Sequence, residues 1–167
     1  MKIKVISILI LFLSGSLYAF DGLFVSLGGE ANGNTREGAA AGGAFSIGFD
    51  INSSFSFGMK KSFSYDFKNF TTIEDTGFFR YYPIKTIPVF LQAELGIITY
   101  FEEGQSSTAI SAGLAAGYRF IVFKNLYIEP VVRGGYPFIW SGGLSVGVLF
   151  AGDSRRDAEA KRTREEE

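Results

Sequence analysis

The chain of 167 residues is 47% hydrophobic and 20% charged, with 21 glycines and 18 phenylalanines, a balance that fits neither a disordered segment nor a helical bundle. Sixteen basic and 17 acidic residues leave a formal charge of −1, without the basic excess that nucleic-acid binding needs. The absence of Cys and His excludes disulfides, Ser-His-Asp and Cys-His nucleophilic sites, and the usual zinc sites.

Met1 to Ala19 opens with Lys2 and Lys4, continues through the apolar run Val5 to Leu13, and closes with Ser14, Gly15, Ser16 and Ala19. That order reads as a secretory signal peptide over 1–19, because the apolar run is shorter than the ~20 residues a spanning helix requires. Cleavage after Ala19 makes Phe20 the first residue of an exported chain. The charges are unevenly placed: two lie in the leader and eleven in residues 153–167, so the body from 20 to 152 holds only 20 of the 33.

Eight strands are expected between Phe20 and Phe150, one domain with the dimensions of a single closed sheet. The first is Asp21 to Gly29, with Leu23, Val25 and Leu27 opposite Phe24, Ser26 and Gly28. The second, Gly43 to Ile51, sets Phe45, Ile47, Phe49 and Ile51 against Ala44, Ser46, Gly48 and Asp50. The third, Phe55 to Tyr65, sets Phe55, Phe57 and Met59 against Ser56, Gly58 and Lys60; the fourth, Thr71 to Tyr82, sets Ile73, Phe79 and Tyr81 against Glu74, Thr76 and Arg80. The fifth, Val89 to Phe101, carries the clearest alternation, with Val89, Leu91, Ala93, Leu95, Ile97, Thr99 and Phe101 on one face. The sixth runs from Thr108 to Phe123, the seventh from Leu126 to Tyr136 and the eighth from Gly143 to Phe150. Most of them repeat one arrangement: bulky apolar residues on one face, small and occasionally charged residues on the other.

Charge beside glycine suits the crowded, hydrated inside of a membrane barrel whose greasy face meets lipid. A soluble barrel would need a polar outer face, and the small face is too glycine-rich and uncharged for that. An exported soluble β-sandwich remains the competing architecture. The connections alternate in kind: Gly29 to Gly42, Ser64 to Asn69, Glu102 to Ser107 and Pro137 to Gly142 form one set, and the mostly shorter Asn52 to Ser54, Pro83 to Pro88 and Lys124 with Asn125 the other. Short periplasmic turns and longer outside loops are the asymmetry of an outer-membrane barrel, and an even strand count places both termini on the periplasmic side.

The leader, RYYPI before a short turn, YRF before another, EPVVRGGYPF, and a closing GGLSVGVLF together resemble the superfamily of small bacterial outer-membrane β-barrels, the opacity-type and related eight-stranded surface proteins. The resemblance implies an all-β, eight-stranded antiparallel up-and-down transmembrane barrel over 20–152, located in the outer membrane. Its implied partners are outer-membrane lipid, the barrel-assembly machinery and an extracellular ligand. The closing strand, with Leu144, Val146, Val148 and Phe150 two apart, is similar to the assembly signal of such barrels, although seventeen residues follow Phe150. The last of these, 153–167, alternate both charge signs with no apolar face and read as a disordered periplasmic tail.

Catalysis is not expected, since the barrel-embedded hydrolases and acyltransferases that the resemblance brings in depend on His. No cofactor and no metal site is expected either, and Glu74 and Asp75, adjacent in a strand, point to opposite faces. The residues that stand out are the charges on the small face: Lys60, Arg80, Glu94, Arg119, Glu129 and Arg133. Ions placed inside must pair or stay wet, and these four bases and two acids predict a positively biased lumen network. A turn at Phe123 to Asn125 sets Val122 opposite Leu126 and Arg119 opposite Glu129. The expected role is structural or surface-interacting, through exposed loops; a narrow channel or carrier for small hydrophobic molecules is the alternative.

Overall fold

The computed structural model describes residues 21–34, 38–66, 70–84, 86–102 and 104–151. The expected signal peptide and charged tail lie outside the described residues.

Among the described residues all regular structure is strand: β1 (Gly22–Asn34), β2 (Gly38–Asp50), β3 (Phe55–Tyr65), β4 (Phe70–Tyr81), β5 (Val89–Glu102), β6 (Gln105–Tyr118), β7 (Phe120–Ile121), β8 (Leu126–Tyr136) and β9 (Trp140–Ala151). Each pairs antiparallel with its neighbour in sequence, apart from β6 and β7, which form one barrel strand interrupted at Arg119. β1 also pairs with β9, from Gly22 opposite Ala151 to Gly33 opposite Trp140, and β6 pairs with β8, so the sheet closes on itself as an eight-stranded barrel. Leu144, Val146, Val148 and Phe150 stand on the β9 seam opposite Gly29, Leu27, Val25 and Leu23.

The interruption at Arg119 has a cause in sequence. The β6–β8 register, Gly117 opposite Val131, and the β7–β8 register, Phe120 opposite Ile128, share one frame, which places Tyr118 and Arg119 opposite Pro130 and Glu129. Pro130 has no amide hydrogen to give, so the ladder lapses there. Arg119 N–H bonds instead across the other side, to the Pro88 carbonyl at 2.9 Å. The tight turn follows as expected, with Val122 N–H bonded to Leu126 O at 2.9 Å. The expected unbroken strand from Thr108 to Phe123 is thus two pieces.

Three expected connections prove to be mostly strand. Gly29 to Gly42 shrinks to 35–37, because Glu30 to Asn34 stay paired with Gly38 to Gly42. Glu102 pairs directly with Gln105, leaving a two-residue turn in which Gly104 takes φ +81°, a conformation that suits glycine. Trp140 rather than Gly143 begins the closing strand. Closing the sheet gives each barrel strand a partner on both sides, so segments whose glycine, alanine and serine content reads as loop still join the ladder. The longest connection, residues 82–88, lies at the other end, so the expected difference in loop length is not present.

Outward residues are mainly apolar and exposed, as Leu27 at 68%, Leu95 at 66% and Leu114 at 72%. Inward residues are packed by a size rule read directly from the register. Phe24 stands opposite Gly48, Phe78 opposite Gly58, Phe90 opposite Gly117 and Tyr127 opposite Gly147. A methyl group on any of these four glycines would run into the facing ring, so the small face exists to admit the large inward groups.

Candidate functional site: the charged lumen

Alternation sends one residue in two from each strand into the barrel, and eight strands leave an interior only wide enough for side chains to fill it. Toward the end that holds the first and last described residues, Phe24, Phe78, Phe90 and Tyr127 are buried around two guanidinium groups. The Arg80 carbon lies 3.8 Å from the Phe90 ring centroid and 5.3 Å from those of Phe24 and Phe78; that of Arg119 lies 4.5 Å from Phe24 and 4.4 Å from Tyr127. Both positions suit cation–π attraction.

One carboxylate serves both arginines. Arg119 Nε donates to Glu129 Oε2 at 2.7 Å, and Arg80 Nη1 stands 2.9 Å from Glu129 Oε1. From Arg80 the network continues: its Nε donates to Gln92 Oε1 at 2.8 Å, and Gln92 Nε2 donates to Glu94 Oε1 at 2.6 Å. Glu94 Oε2 lies 3.0 Å from Arg133 Nε, a charge contact without hydrogen-bond alignment. Arg133 then grips Glu74 with two nitrogens, at 3.1 and 2.7 Å, and Ser111 donates to the same carboxylate. Eight side chains from β4 through β8 thereby form one continuous polar chain through the lumen. Lys60 stands apart from it, 2.8 Å from Glu30, whose other oxygen accepts from Asn32 at 3.3 Å.

All six residues singled out from the sequence point inward: Arg80, Glu94, Arg119, Glu129 and Arg133 on the chain, Lys60 on its own pair. The expected positive bias is corrected, because Glu30, Asp50 and Glu74 are buried in the lumen too and bring the acids to five against four bases. Glu30 was missed because β1 was expected to end at Gly29, yet Glu30 and Asn32 continue the inward parity of Phe24, Ser26 and Gly28. Glu74 was on the right face; its pairing with Arg133, 59 residues away, leaves no local signal.

Between the guanidinium layer and the Glu74 cluster lies a cavity of about 60 Å³, lined by charged groups including Glu30, Lys60, Glu94, Glu129 and Arg133. That is room for a few waters. The cavity walls combine ionised side chains with glycine, Ala44, Val131 and Leu144.

An apolar outside, a polar inside and a sheet with no free edge define a transmembrane β-barrel of the outer-membrane type. The chain is similar in fold to Neisserial surface protein A, with a TM-score of 0.59 and 22% identity over 79% of this chain and 97% of that one. It is also similar to the N-terminal β-barrel domain of Pseudomonas aeruginosa OprF (0.52, 13%, 78% and 98%) and to Ail, the attachment invasion locus protein of Yersinia pestis (0.52, 15%, 78% and 99%). No protein-family model matches the chain, and no curated protein matches it. The fold is that of the small eight-stranded outer-membrane barrels.

Proposed function

We propose that this protein is an integral outer-membrane barrel without enzymatic activity, whose lumen is a structural filling and whose role is exerted at its outer rim. The observation that carries this reading is the connected ion network with its aromatic–guanidinium layer: a barrel of this width, filled by side chains that hold one another, leaves no continuous path. The rim formed by Gln105, Ser106, Ser107 and Thr108, all exposed, is the surface available to an extracellular ligand. Outer-membrane lipid and the barrel-assembly machinery are the other partners of such a chain. A charged cavity favours neither a carrier of hydrophobic molecules nor a soluble sandwich, whose outer wall would not be greasy.

The test joins extraction, gel migration and conductance. The protein is expected to leave the membrane fraction only with detergent, to migrate faster unboiled than boiled, and to give no discrete current steps in a planar bilayer. Steps of constant size from the folded form would assign the lumen a transport role.

A further inference from the structure

Among the described residues, one charged pair faces the wrong way. Lys61 and Asp75 stand on the outer wall, register partners on β3 and β4, with Lys61 Nζ donating to both Asp75 oxygens at 2.8 and 3.0 Å. Their side chains are 61% and 44% exposed. On β3 the pair lies between Met59 and Phe63, and on β4 between Ile73 and Gly77, all pointing outward. Lys61 is six residues from Phe55, a height of roughly 14 Å at ~3.3 Å per residue and ~45° tilt, inside an apolar band ~25 Å tall. Ionised groups facing lipid at that depth are costly, and such residues turn to a protein neighbour or to water.

From this geometry we infer that the β3–β4 wall is the interface between two copies of this chain, related by a two-fold axis along the membrane normal. Two copies in one membrane share one orientation, so a two-fold relating them must lie along the normal. Register partners are neighbours on adjacent strands. An axis passing over the seam between them therefore brings Lys61 of each copy against Asp75 of the other, and the four charges alternate in sign. One row along the tilted strands lie Met59, 66% exposed, and Gly77, an outward glycine with open space in front of it, since a Cβ there would find nothing nearer than 3.8 Å. Small residues that let backbones approach and polar residues that pair across the contact are what holds membrane proteins together. A phosphate-bearing lipid headgroup suits this pair less well, because the lysine is already neutralised by its own carboxylate.

The inference takes the outer wall to face lipid, and so rests on the membrane-barrel reading above. It is tested by charge reversal and mixing. The chain has no Cys, so a Gln105→Cys background carries a donor or acceptor dye at the rim, far from the seam, and energy transfer in lipid vesicles reports association. Lys61→Glu places two acids on the patch and Asp75→Lys two bases; each alone is expected to weaken self-association by about tenfold or more. Mixing the two variants is expected to restore association to the wild-type level, which a merely damaged barrel would not do. Gly77→Leu, which fills the dimple without touching the charges, is expected to weaken association and serves where a charge variant does not fold. Transfer no higher than random proximity for the wild type, or unchanged association in folded variants, or failure of the mixture to recover, would overturn the interface. A folded monomer whose Lys61→Glu variant loses only its binding of anionic-lipid vesicles would give the patch to a headgroup and also overturn it. A protein that needs no detergent fails the membrane reading itself; a detergent-dependent monomer fails this inference alone.

Discussion

Glu129 holds two arginines with one carboxylate, and the consequences differ for each way of removing it. Burying ions is offset only while the geometry and the partners are complete. Glu129→Gln leaves Arg80 and Arg119 buried against each other, and a loss of about 3–5 kcal/mol is expected, as for other broken buried pairs. The sequence alone suggests that replacing Arg119 and Glu129 together by Met should relieve this, since it sets only those two opposite each other. The structure keeps that order but limits the relief: the double variant strands Arg80, which keeps Gln92 and its ring contacts but loses its carboxylate. The expected order of stability is therefore wild type and the triple Arg80→Met, Arg119→Met, Glu129→Met variant highest, the double variant lower and Glu129→Gln lowest. Urea unfolding in lipid vesicles, followed by the fluorescence of the single tryptophan, Trp140, measures it. A triple variant no more stable than Glu129→Gln would show that the ions contribute more than well-packed apolar replacements do.

At the scale of the strand, two neighbours on β5 separate the wall from the filling. Leu95 is outward and exposed, so Leu95→Arg places a charge against lipid and costs roughly 2–4 kcal/mol near the midplane. Gly96 faces inward, and the sequence reading makes Gly96→Ala the milder change. Its surroundings contradict that: a Cβ there would strike the Asp75 carbonyl and the Thr76 Cα on β4, backbone that cannot swing aside. Both variants are expected to lower the folded yield, but differently. Leu95→Arg should recover in a thinner bilayer, and Gly96→Ala should not; folded fractions read by gel migration in lipids of two chain lengths decide this, and recovery of both alike would refute the distinction. The faces of the strands were legible in sequence because a period of two needs only identity along the chain. Their ends were not. Ala31, Gly33, Ala39 and Ala41 have no side chain large enough to mark a face, and the partner strand alone keeps them in the ladder. Pro130 was visible too, but its effect falls on Tyr118 and Arg119 across the hairpin, which only the register reveals.

For the whole molecule, an end-to-end difference lies in the wall of β5 and β6. At the rim shared by the first and last described residues, outward side chains are apolar to the turns: Tyr81 and Ile84, Phe120 and Phe123, Phe150. At the opposite rim Phe101, Tyr136, Ile139 and Trp140 are exposed too, but β5 and β6 continue past Ile97 and Ile110 to Thr99 and Thr108, whose hydroxyls meet at 3.3 Å on the exposed outer face, and on to Ser106 and Gln105. Strands that outrun the apolar band project a paired, polar edge into water, whereas a rim that is greasy to its end sits at headgroup level. In an outer-membrane barrel the end bearing the termini is periplasmic. On the proposed outer-membrane reading, the polar edge of β5 and β6 then faces outward from the cell. A cysteine at Gln105 is expected to react with a membrane-impermeant maleimide on intact cells, and one at Thr86, in the connection between β4 and β5, only after the outer membrane is permeabilised. Since the native chain has no cysteine, each label reports one position. Labelling of Thr86→Cys on intact cells with Gln105→Cys silent would invert the barrel, and would move the candidate ligand surface from the serine- and threonine-rich rim to the apolar one.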